Sequence, residues 1–206
     1  GPPGRHGGVP PLGLGAGGGD VDGGGNFTPR NGKGRLSFGA VVASSGLSDP
    51  GFVPSFGTSA AFPMLKLVVD SRGVYAGAGG SGGHLVIWNL DGSLQQPVYQ
   101  TDGGVQTVAV AVDGSSLYAG GHFVNYCSGN TGIGHPFLCD INVPRAKLFE
   151  VSLSTGALTS WAPKVNSARG VFVSAVDPVT HALWVGGDFT KVGSLSVAHL
   201  AEFATA

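Results

Sequence analysis

The sequence predicts an all-β fold of about three four-stranded antiparallel sheets, preceded by a glycine-rich segment that is disordered or loosely packed. Three observations carry that expectation. Short apolar runs bounded by turn residues follow one another from residue 27 onward. A valine-rich hairpin recurs along the chain. No stretch keeps apolar residues at i, i+3, i+4 and i+7 over three turns, so helices are not expected.

The elements follow in order. Residues 1–23 hold Gly-Pro clusters and no periodicity, and too little apolar surface to offset the entropy of ordering them. The opening Gly1-Pro2-Pro3-Gly4 does not continue as a glycine triplet, which excludes a collagen helix. Residues 24–206 form the folded part. Strands are predicted at Leu36–Ala43, Leu65–Val69, Val74–Ala76, Leu85–Trp88 and Val105–Val112, then at Leu117–Ala119, Lys147–Leu153, Val171–Val176, Leu183–Val185 and Ala198–Phe203. Each is rich in Val, Leu, Phe, Tyr or Trp and is bounded by Gly, Asp, Ser or Pro, the residues that suit turns.

The recurrence is explicit. Val108 to Asp113, a Gly-Ser-Ser turn and Leu117-Tyr-Ala-Gly-Gly-His-Phe123 are matched by Val171 to Asp177, a turn, and Leu183-Trp-Val-Gly-Gly-Asp-Phe189. Asp113 to Asp177 is 64 residues and Tyr118 to Trp184 is 66, which predicts a two-residue insertion in the later turn. An earlier copy runs from Leu65 through Asp70 to Val74-Tyr-Ala-Gly77, and a degenerate one begins at Gly24-Gly-Asn-Phe27. Trp88 to Leu94 corresponds to Val151 to Leu158, and Phe52-Val-Pro54 to Trp161-Ala-Pro163. A lone four-stranded sheet cannot cover both its faces, and radial repetition lets such sheets cover one another. The expected fold is therefore a partial β-propeller.

These residues resemble a known group. Tyr or Trp followed by x-Gly-Gly, a polar residue and Phe, then an apolar strand ending in Thr-Gly, then Trp-x-Pro, is similar to secreted bacterial β-propeller repeats near the kelch type. The resemblance spans residues 24–206 and implies a fold, not an activity. The copy at Tyr75 to Gly80 departs from it, being shorter and lacking the Phe. Propellers close with about four to eight blades. About three blades leave an incomplete ring, and the chain is read as a processed product or a fragment, its remaining blades supplied by the parent chain or by other copies, or else the N-terminal segment contributes strands that the pattern does not reveal.

Composition excludes several classes. Charged residues are 11% of the chain against about 25% in an average soluble protein, and the net charge is −1. No basic field exists to hold a phosphate backbone, so nucleic acid is not an expected partner. No apolar run reaches the ~20 residues of a membrane-spanning helix. Cys127 and Cys139, close together in a Gly-, Asn- and Pro-rich stretch, read as a disulfide that closes a short loop. Such staples belong to oxidising compartments, so an extracellular or cell-envelope location is expected.

The chemistry-bearing residues form no catalytic set. The one Gly-x-Ser-x-Gly match, Gly79 to Gly83, lies in a glycine-dense stretch that does not lead into a helix, and the six histidines show no metal-binding spacing, so no catalytic residue, metal or cofactor is nominated. The glycines of residues 77–83 do not lead into a helix and lack the context of a phosphate cradle. Asn26-Phe27-Thr28 has the form of a glycosylation sequon. Asn26, His122 and Asp188 share the position between a Gly doublet and a Phe. They would either converge on one ligand or each satisfy local backbone groups. The insertion between Phe123 and Arg145 carries Tyr126, Asn130, His135 and Phe137 beside the cysteines, and long loops on rigid scaffolds often bind. The expected function is a non-catalytic binding or scaffolding module for carbohydrate or protein. Two alternatives stand beside it: the propeller portion of a larger secreted enzyme, such as a kelch-type oxidase or a hydrolase, and a self-assembling partial propeller with lectin-like binding.

Overall fold

The computed structural model describes residues 15–17, 20–24, 38–42, 44–45, 47, 49–54, 62–80, 82–95, 97–129 and 139–205. Among them the fold is all-β, with antiparallel sheets, no helix and no closed sheet. Among the described residues no helix is long and apolar enough to cross a membrane.

In chain order, β1 (Gly15–Gly17), β2 (Asp20–Gly24) and β3 (Phe38–Val42) form a small sheet. Part of the segment expected to lack regular structure is therefore paired. Backbone pairing needs few side chains, and the composition argument weighed side chains only. Next come β4 (Met64–Asp70), β5 (Gly73–Ala78), β6 (Gly83–Trp88) and β7 (Tyr99–Thr101), a meander. β8 (Val105–Val110) and β9 (Ser116–Gly121) open a second sheet. The hairpin of β10 (Asn125–Ser128) and β11 (Ile141–Pro144) then returns to the first sheet, pairing with β7 at Tyr126 and Thr101. β12 (Leu148–Ser152) completes the second sheet on β9. β13 (Val171–Val176) and β14 (Leu183–Gly187) form a third sheet, finished by β17 (Leu200–Phe203). β15 (Lys191–Val192) and β16 (Leu195–Ser196) are a short ribbon between them. A single bridge at Val151–Leu158 adds a fourth extended segment to the three-stranded second sheet, and one at Trp88–Leu94 adds a further segment beside the six strands of the first.

The hairpins share a register. Each first strand carries a bulge near its start, between Met64 and Lys66, between Val105 and Thr107, and between Val171 and Val173. Val110 pairs with Leu117 and Val176 with Leu183, so the two turns are equally long. This corrects the expected insertion. Asp177 stands at the register of Ala111, not of Asp113, and matching the two aspartates by eye created the apparent two-residue offset. Asp70 occupies that register in the first sheet.

Three apolar layers hold the sheets together. Phe38 of β3 stacks on Trp88 at 4.9 Å and meets Phe52 edge-on at 5.2 Å, joining the small sheet to the first. Tyr75, Leu85 and Ile87 of the first sheet pack on Val108, Leu117 and Phe149 of the second. Ala109, Tyr118 and Leu148 pack on Leu183, Val185 and Phe189 of the third. The first strands β4, β8 and β13 lie side by side, and each is the edge strand of its sheet.

Glycine is required where one sheet's backbone meets the next. A Cβ at Gly77 would lie 2.7 Å from the Val105 carbonyl oxygen, and one at Gly120 would lie 2.9 Å from Val171 Cγ1. Gly79, two residues along, would meet only Leu65 and Pro63 at 3.4 Å or more. Gly77→Ala should therefore destabilise the chain by ~2 kcal/mol, through forced separation of two sheets, while Gly79→Ala should stay within ~0.5 kcal/mol in a denaturant titration.

His84 lies in the first layer, 1% exposed, its ring stacked on Phe62 at 3.9 Å, and its Nδ1 has no hydrogen-bond partner. Burial pushes its pKa down from 6.5 to about 4, against a smaller upward pull from a hydrogen bond to the Gly79 backbone. Between those two values the unfolded chain takes up the proton and the folded chain does not. Stability therefore falls as pH drops from 6.5 towards 4, by about 3 kcal/mol when the fall is complete. Denaturant midpoints at pH 7 and pH 4.5 should differ in the chain and nearly coincide in His84→Leu.

Candidate binding groove

The start of β8 and β13 is one end of the sheets, and His122 and Asp188 lie there. The carboxylate of Asp102 accepts from the backbone N–H groups of Val124 and Asn125 at 2.7 and 2.9 Å and from Asn125 Nδ2 at 2.7 Å. Asn166 Oδ1 does the same one sheet later, accepting from Thr190 and Lys191 N–H at 3.0 and 2.6 Å. These side chains fix the turn that follows each Gly-Gly-x-Phe run.

Within those turns Asp188 accepts from the Ser167 hydroxyl, from Arg169 N–H at 2.9 Å and from Gly170 N–H at 3.2 Å. The Ser167 bond, with the backbone bonds behind it, holds its carboxyl below the ordinary range. Its two oxygens are thus engaged by the turn that enters β13. His122 is exposed and stands against Gly103, where a Cβ would come within 2.9 Å of Nε2. Its carbonyl accepts from Lys147 Nζ at 2.8 Å. Burial pulls the Lys147 pKa down, against the charges of Asp102 and Asp188. Among the described residues no three His, Cys, Asp or Glu side chains gather as metal ligands.

The described ends of the insertion after Phe123 pair as the β10–β11 hairpin. Cys127 and Cys139 stand at disulfide distance, Cα atoms 4.6 Å apart. Tyr126 is half-buried, its ring 6.5 Å from Tyr99 and 5.9 Å from Phe149, wedged between the first and second sheets. Asn26, Asn130, His135 and Phe137 lie outside the described residues.

A groove of about 370 Å³ runs along the three neighbouring edge strands, and neither His122 nor Asp188 lines it. Its walls are largely aliphatic, from Val68 of β4 through Val108 and Val110 of β8 to Val176 of β13, with Ser174 among them. Charge enters from β4 and its turn, as Lys66, Asp70 and Arg72. Asp70 Oδ2 accepts from Arg72 Nε at 2.9 Å. Burial pulls the Asp70 carboxyl up, but the hydrogen bonds and charge of Arg72 outweigh it and leave the pKa below its ordinary value. Arg72 reaches over to the next turn, filling the space a Cβ on Gly114 would take. Thr107 and Ser174 hydroxyls meet at 2.8 Å and tie β8 to β13 beside the groove.

Sequence reasoning passed over Lys66, Asp70, Arg72 and Ser174. All lie on or just after the first strand of a hairpin, and only the structure shows that this strand is left without a second partner. No protein-family model matches this chain, and no curated protein matches it.

Proposed function

We propose that the chain is a non-catalytic module of an incomplete β-propeller, belonging to an extracellular or cell-envelope protein, that binds an extended segment of another protein. The observation that carries this reading is the groove bounded by β4, β8 and β13, three edge strands with unpaired backbone on one side. Three sheets side by side with the same bulge, and the close approach of Val105 to Gly77 and of Val171 to Gly120, support the propeller arrangement. The disulfide-distance pair Cys127–Cys139 supports an oxidising location.

The choice of protein over carbohydrate rests on chemistry. Sugar rings are commonly held by stacking on aromatic faces, and among the described residues no aromatic side chain lines this groove. An extended peptide instead uses backbone groups at strand edges and places alternate side chains on an aliphatic floor. Lys66 and the Asp70–Arg72 pair would then set the polarity of the segment.

Panning the chain against a phage-displayed peptide library and, in parallel, a glycan array tests the reading. Captured peptides should bind at least tenfold more weakly to Val112→Trp, which narrows the groove, and to Lys66→Glu. Glycan capture unaffected by either substitution would refute it.

A further inference from the structure

We infer that the open face of the third sheet is a docking surface for one further antiparallel sheet of the same pattern, carried on the same polypeptide. The inference rests on the propeller reading above and is independent of what the groove binds.

The face is formed by Val173, Ala175, Trp184 and Leu200. Three of them are 62%, 37% and 54% exposed, in the order Val173, Trp184, Leu200, and Ala175 is exposed as well. One sheet earlier, the same registers hold Thr107, Ala109, Tyr118 and Leu148. Thr107 and Val173 each pair with the first glycine of a doublet, and Ala109 and Ala175 with the aromatic two residues before it. Leu148 and Leu200 pair with that same glycine from the other side. Those four earlier residues are 1%, 5%, 6% and 1% exposed, because the third sheet covers them. Side chains of this size in open solvent at registers that are otherwise buried mark a surface built to be covered.

The size of the face selects the occupant. Three strands of about five residues present roughly 14 Å by 17 Å. Stable association of separate chains commonly buries about 800 Å² on each partner and must offset the loss of free translation and rotation. A sheet joined by a short connection does not bear that loss, and the second and third sheets here are joined in that way.

The test extends the chain with a second copy of residues 153–205 in which Trp161 and Trp184 of the copy are replaced by Phe, so that only the original tryptophans report. Acrylamide quenching of the original Trp184 should fall severalfold, with a blue shift of emission, and Leu200→Lys in the original sheet should restore quenching. Quenching equal to that of the unextended chain overturns the inference. So does light scattering that finds the unextended chain a stable dimer with Trp184 protected, since a second copy would then be the occupant. The unextended chain supplies a further measurement that does not depend on folding of the copy. Trp184→Lys with Leu200→Lys should leave its thermal midpoint nearly unchanged, whereas Tyr118→Lys with Leu148→Lys should abolish the transition. A fall of more than ~5 °C in the first pair would mean that the face is already covered and would overturn the inference.

Discussion

A thin sheet with two apolar faces must be covered on both, and this constraint organises the molecule. The second sheet meets it fully. Its β8–β9–β12 core presents Val108, Leu117 and Phe149 to one neighbour and Ala109, Tyr118 and Leu148 to the other. The contact is close enough that a Cβ at Gly77 would strike the Val105 backbone and one at Gly120 the Val171 side chain. Dispersion and burial then act over the whole face instead of at a few protruding side chains. The glycine content of the folded part is in this sense a packing requirement as much as a turn requirement.

The second glycine of each doublet answers to a different neighbour. A Cβ at Gly121 would lie 2.1 Å from the Gly104 carbonyl oxygen, and one at Gly187 2.3 Å from that of Gly170. The first glycine admits the next sheet and the second admits the chain entering its own sheet. In the first sheet the second position is Ala78, buried at 0% exposure, which marks that hairpin as the divergent one.

Much of this was legible in the sequence because period-two patterns and turn residues are local. The strands at residues 64–88, 105–121 and 171–187 follow their apolar runs closely. The register was harder. Aspartate is frequent at turns for its capping oxygen, and Asp113 and Asp177 cap Ser115 and Val179 at different registers. Matching them mistook a shared local chemistry for a shared position. The pairing of β10 with β7 was not legible at all, since it joins residues far apart through a single bridge at Tyr126. The candidate groove was hidden for a related reason. Its lining is ordinary valine and alanine, and only the arrangement of three sheet edges makes it a site. Asp188 stood out in the sequence and proves to be engaged with Ser167, Arg169 and Gly170.

The route of the chain through β10 and β11 bears on the order of assembly during synthesis. β7 lacks its outer partner until residues 125–144 emerge, and by then β8 and β9 of the following sheet have already left the ribosome. The first sheet therefore closes only after the second has begun, and the two are interleaved in time as well as in space. A nascent chain halted near residue 101 would hold a meander with an unpaired outer strand, an edge open to pairing with other chains.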